Sequence, residues 1–338
     1  MVSNDTTTRQ TGPIPALDRR RDADRRGPAA QRNDSCGHVS VANLAVLSSF
    51  ALERPRGIQV ILPRLLENTL TAGRGCSGSM LPTMEKYQKV RVVSRRDHAP
   101  DLWSMRVRPE EKLAFQPGQY ATLGVEGARP SGDGSHVLER PYSIVSSPLE
   151  DEIEFFFELV PAGGLTPVLY QFQTGASLLM RRQSKGLFVL DSKSGHTRHY
   201  LVATVTGVAP YVSMARTLAR EAEAGRAIDQ QLVILQGASR SWEFAYREEL
   251  EDLAKKFDWL RYIPTVSRPW EDPAWKGEVG RVEDVLRKYL DAIGLEPGST
   301  TAYLCGHPEM ISNAKQILKR RGFPKESLRE EVYWVSRK

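Results

Sequence analysis

Cysteine is scarce in this chain: Cys36, Cys76 and Cys305 are the only three among 338 residues. Three thiols cannot build a disulfide framework, and no CxxC spacing is present to seat zinc or an iron–sulfur cluster. No metal is expected. Such usage predicts a reducing, cytoplasmic setting. Long apolar runs are also missing. A bilayer-spanning helix needs about 20 apolar residues, whereas "VSVANLAVLSSFALE" is shorter and has charges on both sides. No membrane partner is expected.

A strong charge of one sign is lacking too. The chain carries 47 Lys+Arg against 41 Asp+Glu, a net of +6. Residues 1–83 hold 11 and 7 of these, a net of +4, leaving +2 for residues 84–338. The basic balance therefore reflects the leading segment rather than a nucleic-acid-binding face on the body. Within that segment "DRRRDADRRG" interleaves aspartates with its arginines, and no apolar core follows them as a secretory signal requires. Residues 1–37 are too polar to offset the entropy of ordering. Residues 38–79 read as irregular, with at most a short helix near "VANLAVLSSFAL". Residues 1–83 are thus expected to be disordered, or to precede a translation start at Met80 or Met84.

What is present begins near Lys86. "KVRVVSRR", "LWSMRVRP", "GQYATLGV", "RPYSIVSS", "EIEFFFELV" and "SLLMRRQ" read as strands separated by "PG", "SGDG" and "TG" turns. Closely spaced strands with one short helix, "LTPVLYQF", predict an antiparallel β-barrel over residues 84–190. From residue 197 the pattern changes. The apolar strands "YLVATVT", "QLVILQGAS", "LRYIPTVSR" and "TTAYLCG" alternate with the helices "YVSMARTLAREAEAG", "EFAYREELEDLAKKF", "VEDVLRKYLDAI" and "PEMISNAKQILKRRG". That alternation predicts an α/β doubly wound parallel sheet over residues 197–338, with ligands at the carboxyl ends of its strands.

Candidate site residues follow from these placements. In "RPYS", Arg140 and Tyr142 share a strand face while Ser143 points the other way or sits at the strand edge. A guanidinium fork suits a pyrophosphate, and a tyrosine ring offers an apolar plate with a polar tip. "GGLTP" supplies backbone amides and the Thr166 hydroxyl for a second phosphate. "TGVAP" puts Gly207 and Pro210 where a strand turns into a helix. Ser239 and Arg240 end the next strand, Arg268 the third, and Arg281 lies nearby. Three arginines on one rim would suit a dianionic phosphate, although each taken singly reads first as a solvated surface charge. Cys305, at the fourth strand end, reads by default as a buried structural thiol.

The ordered set "FQPGQY", "RPYS", "GGLTP", "TGVAP", two "SR" pairs, "CGHPEM" and a terminal "VYW" resembles the bacterial type of the ferredoxin–NADP(H) reductase family over residues 84–338. The resemblance implies FAD and NADP(H) as cofactors, ferredoxin or flavodoxin as partner, and a monomer. It implies that Arg140, Pro141, Tyr142 and Ser143 hold the flavin together with Gly164, Leu165 and Thr166. It also implies that Thr206, Gly207 and Pro210 form the dinucleotide loop and that Ser239, Arg240, Arg268 and Arg281 grip the 2′-phosphate. Ser143, Cys305 and Glu331 are the implied catalytic set. Gly306 would border the nicotinamide, and Tyr333 and Trp334 would cover the flavin. The sequence departs from the family in two places. Val205 stands at the first glycine of the usual Gly-Thr-Gly loop, and "VSRK" extends past Trp334. Two other readings remain open: a reductase serving free flavin or an oxygenase, and a non-catalytic flavin-binding redox sensor.

Overall fold

Burial alternates along the first strand, β1 (Tyr87–Ala99), where Val90 and Val92 face inward and Lys89 and Arg91 face out. The computed structural model describes residues 86–128 and 135–332, so everything predicted for residues 1–85 and for Tyr333 and Trp334 lies outside the described residues. Five more strands follow: β2 (Leu102–Pro109), β3 (Tyr120–Ala128), β4 (Ser135–Ser143), β5 (Ile153–Glu158) and β6 (Ser177–Arg181). They pair antiparallel in the order β4-β3-β6-β1-β2-β5. The two outer strands then meet, through an Ile144–Phe155 bridge and the Val145 amide donating to the Glu154 carbonyl at 2.9 Å. That closure makes the sheet a barrel, filled by Trp103, Met105, Leu123, Phe155, Phe157 and Met180. A short helix, α1 (Thr166–Tyr170), adds Leu169 to the same core.

One strand is displaced from its expected place. "RPYS" closes β4 rather than opening a strand, because β4 pairs with β3 from Ser135 to Ser143 and the chain turns toward β5 at Ile144. The residues from His136 to Glu139 are all half-buried, so the period-2 signal that marks a strand is absent there.

The second half alternates β7 (Arg198–Thr204), α2 (Ala209–Glu223), β8 (Gln231–Ala238), α3 (Arg247–Lys256), β9 (Leu260–Val266), β10 (Glu278–Val279), α4 (Val282–Ile293), β11 (Thr300–Gly306), α5 (Pro308–Arg320) and β12 (Leu328–Val332). All pair parallel in the order β10-β9-β8-β7-β11-β12. Strand alternation sends Leu201 and Ala203 to a core shared with α2 and α3. Tyr200 and Val202 go to the opposite core, shared with α4 and α5. Both faces are covered, which is why the strands read as continuous apolar runs. Because β8 follows β7 on one side and β11 returns on the other, the order reverses at β7 and β11, and a crevice opens at their carboxyl ends.

The barrel and the parallel sheet share one apolar cluster, in which Leu102, Val145 and Phe156 meet Tyr211 and Met214. Beside it the buried carboxylate of Glu154 accepts from Arg106 at 2.8 Å, Arg216 at 2.7 Å and the Tyr246 hydroxyl at 2.8 Å. No helix among the described residues is long and apolar enough to cross a membrane.

Candidate active site

The last two residues of β4 point in different directions, as strand geometry requires. The Tyr142 ring lies half-buried, edge-on to Phe157 with centroids 4.9 Å apart. Ser143 is buried, and its hydroxyl donates to Glu331 Oε1 at 2.6 Å. That bond joins the barrel to β12, the edge strand of the parallel sheet. Burial pushes the Glu331 carboxyl up, and the Ser143 hydrogen bond only partly offsets this. Glu331 sits in register with Cys305 on β11, so the three residues expected to be catalytic come from strands that meet at one place. The Cys305 thiol is buried.

The rest of the expected flavin set is more dispersed. Arg140 is exposed and its Nη1 donates to the Glu139 carbonyl at 2.7 Å, and Pro141 beside it is also exposed. The Leu165 side chain is in the barrel core, so this residue offers a ligand only its backbone. The Thr166 hydroxyl accepts from the Val160 amide at 3.1 Å and donates to the Val160 carbonyl at 3.3 Å, which closes the loop between them. Gly164 lies against β4: a Cβ there would stand 3.4 Å from the Leu138 side chain, in ordinary contact.

At the crevice, residues Val205–Val208 form a 3-10 turn between β7 and α2, and Pro210 sits in the first turn of α2. The Thr206 carbonyl accepts the Ala209 amide, tightening that turn. A Cβ on Gly207 would overlap the Cys305 carbonyl, and one on Gly306 would overlap the Thr204 hydroxyl. Only glycines let these two strand ends approach so closely. The His307 amide adds a 2.8 Å bond to Thr204 Oγ1. Val205 has φ of 39°, in the left-handed region that β-branched residues avoid. Its carbonyl accepts from Gln236 Nε2 at 3.1 Å, and its side chain packs against the cluster of Ala238, Phe244, Val266 and Trp275. Those contacts hold it there.

A cavity of about 360 Å³ opens beside this loop, and Ser239, Arg268 and Arg281 are in its wall with Val205 and Glu283. Arg240, expected to join them, does not line it. Its guanidinium bonds Glu271 at 2.7 Å and Glu243 at 3.2 Å and lies 5.7 Å over the Trp242 ring. Arg268 also faces Glu271, at 3.6 Å, and Arg281 faces Glu283, at 3.7 Å. Sequence reasoning found the arginines but missed these carboxylates. A signal for them exists: "SRSWE" (residues 239–243) and "SRPWE" (residues 267–271) repeat one pattern, with Glu three residues after Arg.

Residues 201–316 match the family model described as an oxidoreductase NAD-binding domain. The chain is 28% identical over 253 residues to the reductase component of phenol 2-monooxygenase from Pseudomonas sp., covering 74% of this chain and 66% of that one. It is 30% identical over 210 residues to the flavodoxin/ferredoxin–NADP reductase of Shigella flexneri, covering 60% of this chain and 78% of the relative. In fold it is similar to a ferredoxin NADP+ reductase from Neisseria gonorrhoeae solved with FAD and NADP bound, at a TM-score of 0.61 and 22% identity over 74% of this chain and 99% of that one. A closed barrel, a doubly wound parallel sheet meeting it at Ser143 and Glu331, and these likenesses agree: the chain belongs to the ferredoxin–NADP(H) reductase family.

Proposed function

We propose that this protein is an FAD-dependent oxidoreductase that takes electrons from NADPH and passes them to ferredoxin or flavodoxin, reversibly. The observation that carries the reading is the meeting of Ser143, Glu331 and Cys305 with the Thr204–Gly207 loop at the switch point of the parallel sheet. The residues present fit both cofactors. The half-buried Tyr142 ring and the exposed Arg140 suit an aromatic ring system with a pyrophosphate tail. The glycine-tight crevice and the arginines beside it suit a phosphorylated dinucleotide. When bound, FAD supplies the chemistry that converts a two-electron hydride donation into single-electron transfers.

The chain's own residues bind, orient and hold protons. Gly207 and Gly306 bring the strand ends together so that a nicotinamide could lie near Cys305. Ser143 Oγ holds its proton toward Glu331 Oε1. Because burial favours the neutral carboxyl, Glu331 retains a proton more readily than an exposed glutamate, which suits it to exchange one at the buried contact. The shared apolar cluster and the Glu154 network set the angle between barrel and sheet, and so the alignment from which most of the rate gain would come. Thr166, with its hydroxyl engaged by Val160, would contribute to the second flavin-phosphate loop chiefly through its backbone.

The likeness to the phenol 2-monooxygenase reductase component favours one second reading, a reductase whose acceptor is an oxygenase. The test begins with purified protein reconstituted with FAD. Its visible spectrum is expected to show bound flavin that NADPH bleaches without oxygen. Ferredoxin, flavodoxin and an oxygenase component are then compared as electron acceptors. Protein that stays colourless after reconstitution refutes the flavoenzyme reading, and reduction of the oxygenase component alone favours the second one.

A further inference from the structure

Two turns with the same sequence pattern stand side by side at the ends of β8 and β9. Each runs Ser-Arg-x-Trp-Glu, at residues 239–243 and 267–271, and each makes a 3-10 turn over its last three residues. The turns are stitched together by backbone: the Ser267 amide donates to the Ala238 carbonyl at 2.9 Å, and the Arg268 amide to the Ser239 carbonyl at 3.0 Å. Both arginines therefore emerge from one narrow ledge, beside a cavity whose wall includes Ser239, Arg268 and Arg281.

The two glutamates are alike in sequence but not in their surroundings. Glu243 has a structural bond, because its Oε2 accepts the Ser239 amide at 2.9 Å and its side chain is 14% exposed. Glu271 is 34% exposed, and the side-chain contacts described for it are all to guanidiniums. Its Oε2 takes Arg240 through Nε and Nη2, and its Oε1 faces Arg268 Nη1. One carboxylate thus spans two arginines through contacts that phosphate oxygens could also make. Arg240, Arg268 and Arg281 are balanced by their partners Glu243, Glu271 and Glu283, and Glu309 adds a further carboxylate to the cavity wall. A balanced rim offers little net attraction to a dianion.

We propose that Glu271 is the specificity-determining residue of this rim: it occupies Arg240 and Arg268 as an internal stand-in for a phosphate, and a 2′-phosphorylated dinucleotide must displace it. The proposal rests on the nucleotide reading above and deepens it. The fraction of protein with Glu271 swung off the arginines scales the affinity for the phosphorylated nucleotide and leaves the unphosphorylated one nearly untouched. Discrimination between NADPH and NADH is consequently milder than three unencumbered arginines would give.

The test is calorimetric titration of the purified, FAD-reconstituted protein and its Glu271→Gln variant with NADP+ and with NAD+. Partly exposed ion pairs are individually weak, so the variant is expected to bind NADP+ roughly three- to tenfold tighter. NAD+ affinity should stay within about twofold. Binding of NADP+ by the variant should also weaken more steeply with added salt, since arginines no longer paired internally are open to the ligand. Glu243→Gln is the contrast: its amide oxygen can still accept from the Ser239 amide and Arg240 keeps its contact with Glu271, so NADP+ should tighten by clearly less than in Glu271→Gln. If Glu271→Gln leaves NADP+ affinity unchanged or weaker, or raises both nucleotides equally, the proposal is overturned while the nucleotide reading stands. If the parent protein binds neither nucleotide, both fall together.

Discussion

Two of the clusters in which arginines meet carboxylates differ in depth, and there the same chemistry serves opposite ends. Between barrel and sheet, Glu154 is 5% exposed and bonded by Arg106, Arg216 and Tyr246. At the nucleotide rim, Glu271 faces Arg240 and Arg268 with a third of its side chain exposed. Burial alone would lift the Glu154 carboxyl, but the Arg216 and Arg106 guanidiniums and the Tyr246 hydroxyl outweigh it and hold the group ionised. Removing one member of such a cluster leaves a desolvated charge, whereas water and salt compensate readily at the rim. Depth, rather than the kind of pair, separates a permanent joint from an exchangeable one.

The largest effect should come from the joint. Glu154→Ala is expected to cost about 3–5 kcal/mol of stability, read by chemical denaturation. A loss as small as that of a surface pair would erase the distinction. Acid should act next, on one half-buried imidazole at the joint and one buried in the sheet. Burial pushes the His98 imidazole, 3.0 Å from Ser104 Oγ, down to about 4, and burial likewise brings His199 to about 4. Both bind protons more weakly folded than unfolded, so their contribution is full above pH 6.5 and is lost as pH falls from 6.5 toward 4. Melting temperature followed across that window should decline; a flat profile would mean that these rings are not held neutral by the fold.

On the rim, Arg268→Ala should weaken NADPH binding by about 1.5–3 kcal/mol and NADH binding much less. Equal losses would remove the 2′-phosphate assignment. The smallest effect is expected at Val205. Its left-handed backbone costs about 1–3 kcal/mol, which Val205→Gly would relieve while giving up the packing on Trp275 and Phe244. Thermal stability should therefore shift by no more than about 1 kcal/mol. A loss on the scale of a core truncation would show that packing, not backbone strain, governs this position.

How far the site could be read in advance varies from residue to residue. Helix α4 begins and ends where its pattern predicts, since an amphipathic repeat is written in local sequence. Strand β4 was misplaced because successive half-buried positions carry no alternation. For Arg240 the partner Glu243, three residues on, is legible in the repeated pattern, whereas Glu271 sits in the turn that follows a neighbouring strand and is not. Two-residue β10 is too short for any period, although it edges the sheet.

Residue order by itself determined the barrel-then-sheet arrangement, because hydrophobic period and turn residues act over a few neighbours. Tertiary structure alone decided that Ser143 meets Glu331, 188 positions away, and that one exposed carboxylate spans two arginines. Such contacts depend on strand order and on the closeness of two strand ends, which no local pattern encodes.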